Sequence, residues 1–298
     1  MSIFSQPREE LGFLWHVLGG RHSMLRPCKS CLQQDRSCGP HCQWTVRRTC
    51  LQREVTDDDE GLPMKRLSVS ADRPSWSPVR YIRAFVIRYP LAGPIIWLLS
   101  VQYFLVQVLV ASAWKSPYSW RLNAISDLGA TSCSQFDGRF VCSPLHGLMN
   151  VSLILLGLSM TIGAVLMYQE FHRSQVGFCL MAVAGVGAIL VGLFAENTIY
   201  WAHIAGADLA FLLSNIALIF FGLSLCLPRW FRWYSLASGA VALVALCLFL
   251  THNRFFLGLG GMERVAAYPQ TIWLIVFGLY MSKSRNRLAV KRVDTSDS

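Results

Sequence analysis

Charge is what this sequence has least of. Only 15% of its 298 residues are Asp, Glu, Lys or Arg, against about 25% in an ordinary soluble domain. The 53% of hydrophobic residues fall in long blocks, so a water-exposed globule is excluded and a polytopic membrane protein indicated. Several enzyme signatures are also missing. The glycine-rich stretch Gly258-Leu259-Gly260-Gly261 lacks the GK[ST] ending and the preceding strand of a phosphate loop. No HExxH pair and no serine-centred nucleophile elbow occur. No signal-peptide pattern opens the chain. No convincing internal repeat is found and only Pro269 interrupts a span, which disfavours a dedicated transporter.

What is present are six apolar segments, drawn at about Pro94–Ala113, Leu145–Tyr168, Val176–Ala195, Ala202–Leu227, Trp233–Thr251 and Val265–Met281. Each is near the ~20 residues a helix needs to cross ~30 Å of hydrocarbon. The expected fold is an all-α membrane bundle of six transmembrane helices, with Pro269 kinking or delaying the last. Basic residues orient it. With both termini cytoplasmic, the inner side carries Arg73, Arg80, Arg83, Arg88, Arg173, Arg229, Arg232, Lys283, Arg285, Arg287, Lys291 and Arg292, twelve in all. The outer side carries five: Lys115, Arg121, Arg139, Arg254 and Arg264. A net charge of +10 that flanks the spans indicates anchoring in the cell membrane by the lipid bilayer rather than nucleic-acid binding.

Residues 78–282 are therefore read as the membrane domain and 283–298 as a basic cytoplasmic tail. Residues 1–77 differ. They hold Cys28, Cys31, Cys38, Cys42 and Cys50, the acidic run Asp57-Asp58-Asp59-Glu60 and no apolar span. With His41 these thiols invite comparison with a zinc module, but the spacing fits no strong paired-knuckle pattern. A disordered, cytoplasmic, Cys-rich extension is the preferred reading.

Chemistry-bearing residues gather on the outer side. His146 and Asn150 lie four apart and share a helix face. Glu196, His203 and Asp208 lie within thirteen residues about the third and fourth spans, where a carboxylate facing hydrocarbon costs several kcal/mol. Asp208, about one turn into its span, is expected to face the bundle interior, in the same wet cavity as His146. Asp127 comes from the first outer loop, and Glu263, Arg264 and Tyr268 come from the last loop and span. Glu263 is expected to pair with Arg254 or Arg264 unless it serves the cavity. Cys133 and Cys142, the two cysteines of the first outer loop, are expected to form a disulfide. On the third span Ala184, Ala188 and Gly192 form a small-residue stripe suited to close helix packing.

The stretches Asn123–Gly129 (NAISDLG), Cys142–Asn150 (CSPLHGLMN), Ala195–Thr198 (AENT) with His203 to Asp208, and Gly260–Arg264 (GGMER) with Tyr268-Pro269 resemble the domain of unknown function 998 family of polytopic membrane proteins. The resemblance covers roughly residues 90–281 and implies six helices, but almost no chemistry. From the residues themselves, the expected function is a multi-pass membrane protein with an outer polar pocket. That pocket would bind a small polar ligand, an ion or a lipid headgroup through Asp127, His146, Asn150, Glu196, His203, Asp208, Glu263, Arg264 and Tyr268. The alternative is a membrane-embedded metal-dependent hydrolase or transferase, with His146, His203 and His252 as candidate zinc ligands.

Overall fold

The computed structural model describes residues 78–114 and 118–294, with side chains for residues 81–114 and 118–285. The Cys-rich extension and its zinc reading lie outside the described residues.

The fold is all-α, with six helices long and apolar enough to cross a membrane. A short basic helix, α1 (Pro78–Arg88), precedes them. The first span is broken into α2 (Ala92–Leu98) and α3 (Val101–Ser112). Around the break, Leu99 N–H bonds the carbonyls of both Ile95 and Ile96, and the Ser100 hydroxyl meets Ser159 Oγ at 2.8 Å. The remaining spans are α4 (His146–Tyr168), α5 (Gln175–Leu193), α6 (Tyr200–Ser224), α7 (Arg229–Leu250) and α8 (Gly258–Asp294). Between α3 and α4 the loop carries a single turn of 3₁₀ helix, Ser126–Gly129, then a hairpin of β1 (Ser134–Phe136) and β2 (Arg139–Val141). In that hairpin Gln135 pairs with Phe140.

Two boundaries differ from the sequence expectation. The last helix begins at Gly258 and runs through Pro269 without delay. A proline removes one helical hydrogen bond, a loss that transmembrane helices tolerate where neighbouring groups re-satisfy the backbone. The same helix continues to Asp294, so much of the basic tail is helical rather than a separate segment.

Successive spans pack side by side, and α8 closes the ring onto α2 while α6 reaches α8 across the middle. Glycine pairs set the closest approaches. A Cβ on Gly187 would lie 2.6 Å from the Gly206 carbonyl oxygen, and one on Gly185 the same distance from that of Gly157. The α4–α5–α6 layer is therefore held at near-backbone contact, as small residues permit in lipid. Ala184, Ala188 and Gly192 are buried in that layer, as the stripe implied.

Away from the hairpin, an aromatic block fills the bundle. Trp97, Phe178, Phe221, Phe231, Trp273 and Phe277 are almost wholly buried. Phe221 and Phe277 each stack on Trp273 at 4.8 Å. The outer wall is apolar, with Leu105, Val108, Leu223, Val241, Val244 and Leu279 exposed. Exposed aromatics mark both ends of the bundle: Trp201, Phe255 and Phe256 near the hairpin, and Trp230 and Trp233 opposite. Such belts sit at membrane–water interfaces.

Candidate functional site

The loop between the first two spans is the roof of the hairpin end, and three anchors hold it. The first is Asp127, fully buried. It accepts from Asn123 Nδ2 at 3.1 Å and from Ala124 N–H at 2.9 Å. Arg139, projecting from β2, grips both of its oxygens at 2.7–3.0 Å. The Arg139 guanidinium also reaches Asp137 at 3.1 Å and lies 3.9 Å from Glu196. The structure joins Cys133 to Cys142, which ties together the two arms of the hairpin that carries Arg139.

The second anchor is the α5–α6 turn. Asn197 accepts from Thr131 N–H at 3.0 Å and donates to the Ser132 hydroxyl at 2.8 Å. His203 Nδ1 sits 2.8 Å from the Phe194 carbonyl, which can only accept, so Nδ1 carries the proton. Glu196 is buried beneath this turn, beside Asp127. Burial pushes the Glu196 carboxyl up, the Asp127 hydrogen bond and charge push it further, and it reaches about 9 against the weaker pull of Ser126 and Arg139. Burial also opposes ionisation of Asp127, but hydrogen bonds from Arg139 and Glu196 outweigh it and hold this carboxyl below its usual value. At neutral pH the two share one proton: Glu196 keeps it and Asp127 is charged.

The third anchor is the start of α8. Gly258 has φ of 71°, and a Cβ at Gly260 would run into the Asn123 backbone. Only glycine allows this approach, and Gly260 N–H bonds the Arg121 carbonyl at 3.0 Å. Arg264 is buried and donates to the carbonyls of Trp120, Asn123 and Gly260 at 2.7–3.0 Å, and to the Tyr118 hydroxyl. Its guanidinium also lies over the Trp120 ring, 4.8 Å from the centroid. Glu263 Oε2 accepts from Ile125 N–H at 2.6 Å. Among the described residues it forms no close ion pair with Arg254 or Arg264, one of the two roles the sequence left open for it.

Under this roof lies a cavity of about 560 Å³, within the ~300–1,000 Å³ range of small-molecule sites. Its polar lining includes Ser126, Asp137, Arg139, Glu196, Tyr200, His203, His252, Arg254 and Glu263. Its apolar lining comes mainly from Ile204, Ala207 and Phe211 of α6 and Phe249 and Leu250 of α7. A smaller cavity of about 40 Å³ lies further in, between α3, α4, α5, α6 and α8, and reaches Gln270. Ser126, His203, Ala207, Phe211 and Glu263 line both, so the two abut. Space of that size holds a few waters, each needing at least ~10–15 Å³.

The sequence candidates therefore part company. Glu196, His203, His252 and Glu263 line the larger cavity. Asp127 and Arg264 support its roof from behind. His146 turns Nδ1 to the Ser143 carbonyl at 3.0 Å, and Asn150 donates to the Gly129 carbonyl at 3.0 Å; both fasten the loop and line neither cavity. Tyr268 lies deeper and donates to Gln107 at 2.7 Å. Asp208 must be corrected. It is exposed, lines neither cavity, makes no hydrogen bond or ion pair among the described residues, and does not share a cavity with His146. Helical phase is the reason: the cavity face of α6 runs His203, Ala207, Ala210, Phe211, with Ile204 at its edge, and Asp208 lies about 100° beyond Ala207, on the exposed stripe of Ala205 and Leu212. His146, His203 and His252 do not converge, and among the described residues no three His, Cys, Asp or Glu groups form a metal-binding cluster. Arg139, which sequence reasoning treated only as a loop charge, is central to the geometry. Twelve residues separate Arg139 from Asp127, and only the hairpin's reversal brings them together.

The family described as Protein of unknown function (DUF998) matches residues 98–280, more than half of the chain. The chain belongs to that family. The matched region takes in the roof loop, the hairpin, both cavities and the greater part of the six spans, so the site described above is a feature of the family domain rather than of the flanking segments. No curated protein and no solved structure matches the chain.

Proposed function

We propose that this multi-pass membrane protein binds a membrane amphiphile at its hairpin end, the polar head beneath the loop roof and the tail against α6 and α7. The carrying observation is the division of the 560 Å³ cavity into a charged roof and an apolar wall contributed by two membrane-spanning helices. A free polar solute or an ion would need no such wall. Following the positive-inside distribution, the hairpin end is assigned to the outer face of the cell membrane and both termini to the cytoplasm. The aromatic block below the inner cavity makes the site a dead-end pocket in this reading, suited to holding a ligand rather than passing it.

Native mass spectrometry of the protein extracted in mild detergent tests this. Wild-type protein is expected to retain lipid. Ala207→Trp, which fills the meeting point of the two cavities, is expected to lose it while keeping a comparable melting temperature. Equal retention by a folded Ala207→Trp variant would overturn the proposal.

A further inference from the structure

The Arg254 guanidinium lines the larger cavity and makes no hydrogen bond or ion pair among the described residues, and its Nε is shut off from solvent. Two other guanidiniums at this end have partners, although the Nε of Arg264 is left without one. Arg139 is held by Asp127 and Asp137, and Arg264 by three carbonyls and a phenol. Three carboxyls share the cavity with Arg254, and none pairs with it: Asp137 is on Arg139, Glu263 accepts from the Ile125 N–H, and Glu196 lies 3.9 Å from Arg139. Arg254 is half-buried, so part of its guanidinium is withdrawn from water, and among the described residues no carboxylate pairs with it.

The turn presenting it is shaped for the purpose. His252 and Phe255, neither of them glycine, hold φ of 58° and 40° on either side of Arg254. Non-glycine residues enter that region at a cost of about 1 kcal/mol or more. His252 lines the same cavity, and Tyr200 adds a hydroxyl from the start of α6. A guanidinium that shares a cavity with an imidazole and a phenol offers donors for phosphate, since its fork matches phosphate oxygens in a bidentate way.

We infer that Arg254, assisted by His252 and Tyr200, binds the phosphate of an anionic phospholipid headgroup in the hairpin-end cavity. This rests on the amphiphile reading above and names its chemistry. The phosphate seats against the α7–α8 turn, and the acyl chains leave along Ile204, Phe211 and Phe249 into the bilayer.

The test uses full-length protein, stripped of lipid by repeated detergent exchange and titrated separately with phosphatidylglycerol, diacylglycerol of the same chains, and inorganic phosphate. Native mass spectrometry reads the occupancy. Wild type is expected to bind phosphatidylglycerol more tightly than diacylglycerol. Arg254→Gln is expected to weaken phosphatidylglycerol by roughly tenfold or more and leave diacylglycerol unchanged. Arg254→Lys should recover part of the loss. Because the Arg254 side chain makes no hydrogen bond or ion pair among the described residues, both variants should melt with the wild type, and this is checked first. Equal phosphatidylglycerol affinity in wild type and Arg254→Gln, with both lipids still bound, would overturn the phosphate assignment alone. Failure of both lipids to bind would overturn the amphiphile reading as well. Inorganic phosphate binding as tightly as phosphatidylglycerol would replace the lipid with a free anion.

Discussion

At the scale of single residues, the ionisable groups of the α5–α6 turn are kept for two different reasons. Glu196 is buried as a neutral acid beside an ionised Asp127, which makes the stability of the fold depend on pH. Folded Glu196 holds its proton up to about 9, whereas the unfolded carboxyl releases it near 4.5. Between those values the folded state binds the additional proton, so stability falls as pH rises through the window. Asp127 works the other way: its contribution is present above its ordinary value of 3.8 and lost on acidification below it. Glu196→Gln, an uncharged isostere that cannot deprotonate, should therefore flatten the decline. Melting temperatures of wild type should drop between about pH 6 and pH 9, and those of the variant much less. Parallel pH profiles would show that Glu196 is already ionised. Asp208 has no such role in the cavity. A carboxylate facing hydrocarbon is unfavourable by up to ~3 kcal/mol, so Asp208→Asn should keep or raise the melting temperature, and a clear loss would reveal a partner for this side chain. Sequence alone made Asp208 look the more important of the two, because depth in a span is legible from spacing and direction is not. The decisive partner of Asp127 and Glu196 was Arg139, and no spacing rule couples a hairpin strand to two other segments.

At the scale of elements, the apolar runs fixed the number of spans, and most limits fell within a few residues of the helices formed. The exceptions have a common cause, since tertiary contacts outweigh local preference. The first span breaks where Ser100 bonds Ser159, and α8 starts early because Gly260 packs on the 121–123 backbone. The small-residue stripe on α5 was legible; its partners on α4 and α6 were not, because a stripe says that something comes close without saying what. The contact between Gly187 and Gly206 gives a sharp expectation. Gly187→Leu drives a side chain into the α6 backbone and should cost at least the ~1–3 kcal/mol of ordinary overpacking, lowering the yield of folded protein in size-exclusion profiles. Gly147, on the first turn of α4, has nothing near its missing Cβ. Gly147→Ala should be neutral or stabilise by about 0.5–1 kcal/mol. If both variants behave alike, the close packing of α5 on α6 is not what holds the layer together.

For the whole molecule, the division of labour between the two ends decides what the protein can reach. An even number of spans places the two flanks of the membrane domain on one side, and the proposed orientation, drawn from twelve basic residues against five, makes that side cytoplasmic. The Arg285–Glu170 ion pair lies there, joining the end of α4 to α8. The hairpin end, with its disulfide and cavity, then faces outward, where a disulfide persists. Cysteine labelling in intact cells tests this in a background where Cys28, Cys31, Cys38, Cys42 and Cys50 and the exposed Cys179, Cys226 and Cys247 are replaced by serine. Phe256→Cys, at a position 79% exposed, is expected to react with a membrane-impermeant maleimide, and Lys283→Cys only after the cells are opened. The reverse pattern would turn the bundle over. The cavity would then draw its ligand from the inner leaflet, and Cys133 and Cys142 would meet a reducing compartment in which their bond should not survive. The labelling result therefore decides at once which leaflet the Arg254 site can sample and whether the hairpin that holds Arg139 is locked.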